Sequence, residues 1–326
     1  MTAPGAVAEA DTVAQGDRPP PAGGRSAGDP PAPEPGRARQ SRPAAGPGLR
    51  VASAALGILA ALLLGFVVDA GLVGQIRHAR DRQVDYADFR SDLANGVAPV
   101  GRSEGGGLAA APGDPVALLE VPALHLREVV GEGTTAEDLA RGPGHRRDTT
   151  LPGQAGVSVI MGRQATYGGP FGHLGELNTG DTFTVTTGQG RHTYRVIGPR
   201  RAGDPQPPAL AAGRGRLTLI TADGTPFMPR GILRVDADLV SDVQPTPAPS
   251  LPPGALPEDE KPMATQQAAW LSLVLWGQGL VLAAGALAWA HARWGRPHTW
   301  VVGVPLLGAL GLAVADQALL LLPNLL

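Results

Sequence analysis

Cysteine is missing from all 326 residues. Disulfides, thiolate metal sites and a cysteine nucleophile are therefore excluded, while the redox compartment stays open. An excess of charge is missing too: the net charge is -2, which gives no reason to expect nucleic acid or an acidic partner. The histidines lack metal-ligand spacing, so no metal site is expected. The Gly-rich "EGGGLAAAPG" lacks the strand-to-helix setting of a phosphate loop, and no cofactor is expected. Glycine (46) and proline (33), by contrast, are abundant enough that part of the chain is expected not to fold.

The chain divides by composition. Residues 1–48 form a Pro/Gly/Ala-rich tail that cannot bury enough apolar surface to offset chain entropy, and disorder is expected there. Residues 51–74, apolar except for Asp69, are long enough to cross a bilayer as a helix. The run is too long for a signal-peptide h-region and the tail before it too extended, so an anchor is the reading taken. Residues 75–115 hold an amphipathic helix, with Tyr86, Phe89 and Leu93 at helical spacing and a stop at Asn95-Gly96, then a Gly-rich linker.

From 116 to 242 the pattern changes to seven short runs: "VALLEV", "REVVGEG", "GVSVIMG", "DTFTVTTG", "RHTYRVIG", "RLTLIT" and "GILRVDADLV". Turn residues separate them, which predicts a sandwich or small barrel. "TTAEDLARG" reads as one helical insertion capped by Thr134 or Thr135. Residues 243–267 are a Pro-rich linker. Two further apolar segments, 268–290 and 299–322, are each long enough to span, with tryptophans mainly toward their ends.

Arg37, Arg39, Arg42 and Arg50 precede the first span, and Arg293 and Arg296 lie between the last two. The positive-inside tendency then predicts a multi-pass protein of the cell membrane with a cytoplasmic N-terminus and an outward-facing β-domain, although Arg77, Arg80 and Arg82 weigh against it. In that topology Asp69 in the first span and Asp316-Gln317 in the third lie at similar depth. They either reach headgroup water or face one another, or Gln278, inside a three-helix bundle.

"VALLEVPALHL", "EGTTAEDLARGPGH", "LPGQAGVSVIMG", "TYGGPFGHLGELNTGD" and "TFTVTTGQGRHTYRV" resemble the successive blocks of sortases, the bacterial cell-surface transpeptidases. More narrowly they resemble the actinobacterial, membrane-anchored, class E-like branch. The resemblance implies a mainly β fold: a closed eight-stranded barrel with a peptide groove, held outside the membrane. It also implies three site positions, for a cysteine that forms a thioester, a histidine that handles the proton and an arginine that stabilises negative charge. The histidine position falls on Arg163 and the cysteine position on Ala222. The arginine position falls on Arg230, or on Ile232 with Arg230 and Arg234 two residues to either side. Strand alternation points all three to one face.

Ala222 cannot attack, and a guanidinium does not serve as a base. Nucleophilic catalysis needs both functions, so thioester transpeptidation is excluded. Chemistry relocated to Thr221, Asp223 or Thr225 with His145, His173 or His192 is the enzymatic alternative. It is disfavoured because His145 reads as a turn, His173 as a loop, and His192 as an exposed position opposite the core-facing Tyr194 and Val196. What remains is a groove with Arg163 and Arg230 or Arg234, suited to carboxylates or backbone carbonyls, unless Arg163 pairs with Asp223 or another acid and shuts it. The expected role is non-covalent: binding a cell-envelope peptide or scaffolding a membrane-protein partner. A structural subunit whose helices carry the function is the further alternative.

Overall fold

The computed structural model describes residues 56, 60, 61, 63–101, 110–247, 251–294 and 296–326, with the side chains of 288 and 291–300 left out. The tail at 1–48, part of the expected first span and the Gly-rich linker at 102–109 lie outside the described residues.

Eight strands close a barrel: β1 (Pro115–Val121), β2 (Leu126–Glu132), β3 (Gly144–His145), β4 (Gly156–Met161), β5 (Thr182–Thr187), β6 (Gly190–Arg200), β7 (Gly215–Thr225) and β8 (Met228–Leu239). Their order around the barrel is β1-β2-β3-β4-β7-β8-β6-β5, with β5 pairing back onto β1. The parallel pairs are β2–β3 and β4–β7; the others are antiparallel. Seven strands coincide with the seven apolar runs. The eighth, β3, is two residues long and hides in "GPGH". Only a glycine fits at its start, since a Cβ on Gly144 would lie 2.1 Å from the Gly133 carbonyl oxygen.

Alternation splits each strand between two cores. Ile160, Leu217, Leu219, Leu233, Val235 and Ala237 point into the barrel with Phe171, Phe183 and Tyr194. The intervening Val159, Met161, Ile220 and Ala222 point outward, and β7 is buried on both faces. His192 corrects the expectation of an exposed position. It is buried, because a period of two places residues 192, 194 and 196 on the same side of β6. His145 likewise is no turn residue. It is buried on β3, with Nδ1 2.8 Å from Glu132 Oε2 and Nε2 3.0 Å from the Thr150 carbonyl.

Helix α1 (Gly74–Asn95) lays Phe89, Tyr86 and Leu93 on Leu118 and Val129, and ends where Gly96 takes a left-handed φ of 66°. A one-turn α2 (Asp138–Arg141) starts with a reciprocal cap: Asp138 N–H donates to Thr135 Oγ1 and Thr135 N–H to Asp138 Oδ2, both at 3.1 Å. Helices α3 (Ala269–Trp294) and α4 (Arg296–Leu320) pack together, Gly303 lying against Leu287. Their segments Ala269–Leu287 and Val301–Leu320 are long and apolar enough to cross a membrane.

One cation gathers the helices onto the barrel. Arg77 of α1 donates to Asp316 Oδ1 of α4 at 2.5 Å and lies 4.0 Å from Asp69 Oδ1, in the π turn Asp69–Val73 that precedes α1. Tyr167, from the loop after β4, donates its hydroxyl to Asp316 at 3.0 Å. Ala70, Tyr167 and Leu319 close over the apolar side, with Phe66, Ala140 and Leu322 against them. Asp69 and Asp316 thus meet through a shared arginine, whereas Gln278 is exposed on α3. Breaking this partly exposed link with Asp316→Leu should cost between the ~1 kcal/mol of a surface pair and the ~3–5 kcal/mol of a buried one. Thermal unfolding of the detergent-solubilised full chain measures it, and an unchanged midpoint would show that the link holds nothing.

Two buried histidines predict a pH dependence. Burial drives His145 toward neutrality, but the Glu132 carboxylate and the Thr150 carbonyl outweigh it, so the pKa lies above the ordinary value. His78, between Glu128 Oε1 (3.2 Å) and the Arg141 carbonyl (2.9 Å), is raised in the same way against its own burial. A raised pKa means the stabilisation is complete below the unfolded value of about 6.5 and is lost as pH climbs through the folded value. Chemical denaturation followed by circular dichroism should therefore show a midpoint that falls from about pH 6 to about pH 9. A shallower fall is expected in His145→Gln.

Candidate functional site

The outward core on β4 and β7 holds Ala222, with Ile232 packed against it. Parallel pairing sets Met161 beside Ile220, and antiparallel pairing sets Ala222 opposite Ile232. Gly162 follows Met161, donates its N–H to the Ile220 carbonyl at 2.9 Å, and has no room for a Cβ, which would lie 2.6 Å from the Phe171 ring. The chain then leaves β4 and turns Arg163 toward Ala136, Thr166 and Tyr167.

Arg163 is fully buried. Its Nη2 donates to the Ala136 carbonyl at 2.6 Å and its Nη1 to Thr166 Oγ1 at 3.0 Å, and its guanidinium lies 4.8 Å from the Tyr167 ring centroid. Burial lowers its pKa to about 10, which leaves it charged and purely a donor at neutral pH. Tyr167 adopts a φ of 51°, uncommon for a residue with a side chain, and in that pose its ring meets Arg163 and its hydroxyl meets Asp316. Burial, ahead of the Asp316 charge, raises its phenol pKa.

The other predicted residues disperse. Thr221 points into the barrel, its Oγ1 buried without a hydrogen bond. Asp223 receives a 2.9 Å bond from Arg201 rather than from Arg163. Arg230 is exposed at the start of β8. Arg234 is half-buried, and burial together with Arg200 and Arg146 lowers its pKa against the pull of Asp236. Among the described residues His145, His173 and His192 bond to Glu132, Glu176 and Thr187, and none of them to Thr221 or Asp223.

Ala222 is buried among residues that sequence reasoning left out. Leu325 and Leu326, just past α4, share one buried apolar cluster with Ala222, Ile220, Met161, Val159 and Leu139, with Ile232, Met263 and Leu322 alongside. Main chain holds them: Gln164 N–H donates to the Leu325 carbonyl at 2.8 Å, and Thr166 gives the Leu326 oxygen both its N–H (2.9 Å) and its hydroxyl (2.6 Å). Asn324, fully buried, donates Nδ2 to the carbonyls of Thr134 (2.9 Å) and Lys261 (3.1 Å) and its N–H to that of Ala264 (2.8 Å). Thr166 thus links Arg163 to Leu326. The available signal was "LLPNLL": a proline that stops the helix, then leucines beyond the span.

A half-open cavity of about 410 Å³ lies beside Tyr167 and Asp316. It is lined by Arg77, Asp81, Glu137, Arg141 and Gln266, and it holds Gln317 next to Asp316.

The Sortase domain model matches residues 119–231. Sortase D of Bacillus subtilis (strain 168) is 34% identical over 80 residues, which is 24% of this chain and 39% of that relative's length. Among solved structures, sortase E from Streptomyces avermitilis is 32% identical, covering 40% of this chain and 91% of that one at a TM-score of 0.35. Sortase E1 from Streptomyces coelicolor, with a tripeptide in its active site, is 26% identical over 41% and 92% at 0.36. The Clostridium perfringens Sortase D5 transpeptidase is 20% identical over 50% and 99% at 0.39. Over residues 119–231 the chain thus carries a sortase domain.

Proposed function

We propose that the chain is a membrane-held sortase-fold protein that has given up transpeptidation and works by non-covalent binding, as a scaffold for a membrane-protein partner or a receptor for a cell-envelope peptide. One observation carries this reading: Ala222, where the resemblance puts the nucleophile, is buried in one apolar cluster with Leu325 and Leu326. A methyl group forms no thioester, and the family's base position is held by a buried cation committed to Ala136, Thr166 and Tyr167. The two apolar helices and the first apolar segment support a multi-pass protein of the cell membrane, and the charge pattern supports a barrel on the outer side. No observation favours relocated chemistry, because the imidazoles are engaged elsewhere.

The full-length protein in detergent, incubated with a panel of sorting-signal-like peptides and an amine acceptor, is expected to yield no cleaved or transferred product by mass spectrometry. A product that is formed by the native protein and disappears in Thr221→Val would overturn the proposal.

A further inference from the structure

Residues 322–326 are held the way a ligand is held. Leu325 and Leu326 enter an apolar cleft, the main chain is read by Gln164 and Thr166, and one polar side chain, Asn324, is read by its own set of partners. Those partners, Thr134 and Lys261, present carbonyl oxygens, so they select for a group with two N–H donors. A carboxylate of the same shape would face two carbonyl dipoles with nothing to donate. Thr134 is itself pinned by its hydroxyl bond to the Glu260 carbonyl (2.7 Å), and Glu260 accepts two bonds from Arg147 Nε at 3.0 and 3.1 Å. The reading surface is therefore braced from the barrel. The tether to α4 is short and has few main-chain bonds: Leu322 N–H makes one 3.2 Å bond to Leu319, and Pro323 has no N–H, although Leu322 itself packs against both apolar clusters.

We propose that the cleft over Ala222 is a recognition site for an extended peptide carrying a carboxamide side chain followed by two aliphatic residues. It is filled in cis by Asn324-Leu325-Leu326, and it accepts the same sequence in trans when the cis copy is withdrawn. The inference rests on the non-covalent reading and names its ligand class. Arg163 is a positioning residue here: through Thr166 it fixes the donors that meet Leu326, and through the Ala136 carbonyl it ties the site to the loop beside Thr134.

The natural absence of cysteine supplies the reporter. In full-length Ala222→Cys the only thiol lies in the buried cluster that contains the two leucines, and its alkylation should be slow. Adding Asn324→Asp should accelerate alkylation roughly 10- to 100-fold, the effect of leaving buried partners unpaired. Amidated Leu-Leu-Pro-Asn-Leu-Leu added in trans should restore protection, and its Asp analogue should need a concentration higher by a similar factor. Leu326→Ala, which keeps the carboxamide, provides a second opened form if Asn324→Asp does not fold. Circular dichroism confirms the barrel in each. Equal alkylation in the closed and opened forms would overturn the proposal, as would no protection by the Asn peptide, since the segment would then be ordinary core. Peptide cleavage by the native protein would instead defeat the non-covalent reading, which separates the two failures.

Discussion

The apolar cluster that Leu325 and Leu326 share with Ala222, Ile220 and Met161 joins the segment after α4 to the barrel. Each buried leucine is worth about 1.5–3 kcal/mol of transfer free energy, and each main-chain bond about 0.5–1.5 kcal/mol more. Against a typical net stability of ~5–15 kcal/mol, a two-leucine anchor with its bonds to Gln164 and Thr166 is large even after the entropy of ordering a short segment.

Arg163 shows how a buried charge is tolerated without a carboxylate beside it. The Ala136 carbonyl and the Thr166 hydroxyl satisfy two N–H directions, and the Tyr167 face supplies cation–π attraction. Tyr167 then passes its hydroxyl to Asp316, which also binds Arg77. A continuous polar path runs from the barrel loop to α4 and α1, parallel to the apolar contact of Leu325 and Leu326. The two connections constrain each other. Leu322 packs in the cluster around Tyr167 and also against the cluster around Ala222.

Much of the fold was legible because it rests on local patterning. Seven strands follow from alternating apolar runs, and of the two capping candidates before α2, Thr134 and Thr135, it is Thr135 that bonds Asp138. The end of α1 follows from Asn95-Gly96. β3 was not legible. Two residues carry no periodicity, and it exists only because β2 and β4 leave a gap that Gly144, lacking a Cβ, can enter. His192 was misjudged against a rule the sequence itself obeys, since its parity matches Tyr194 and Val196.

For the site, the sequence by itself determined what cannot happen at residues 163 and 222, because a missing thiol and an undeprotonated guanidinium are properties of the residues and not of their surroundings. It also led to the expectation that Arg163, Ala222 and the β8 position share a face, of which the pairing of Ala222 with Ile232 is seen. Only the tertiary structure decided what stands there. Arg163 could have met Asp223 or open solvent, and it met Ala136, Thr166 and Tyr167 instead. Leu325 and Leu326 lie about a hundred residues beyond Ala222, and no local pattern links them to it. That contact is set by where α4 delivers the chain, and the path of α4 depends on an ion pair between Arg77 and Asp316, 239 residues apart.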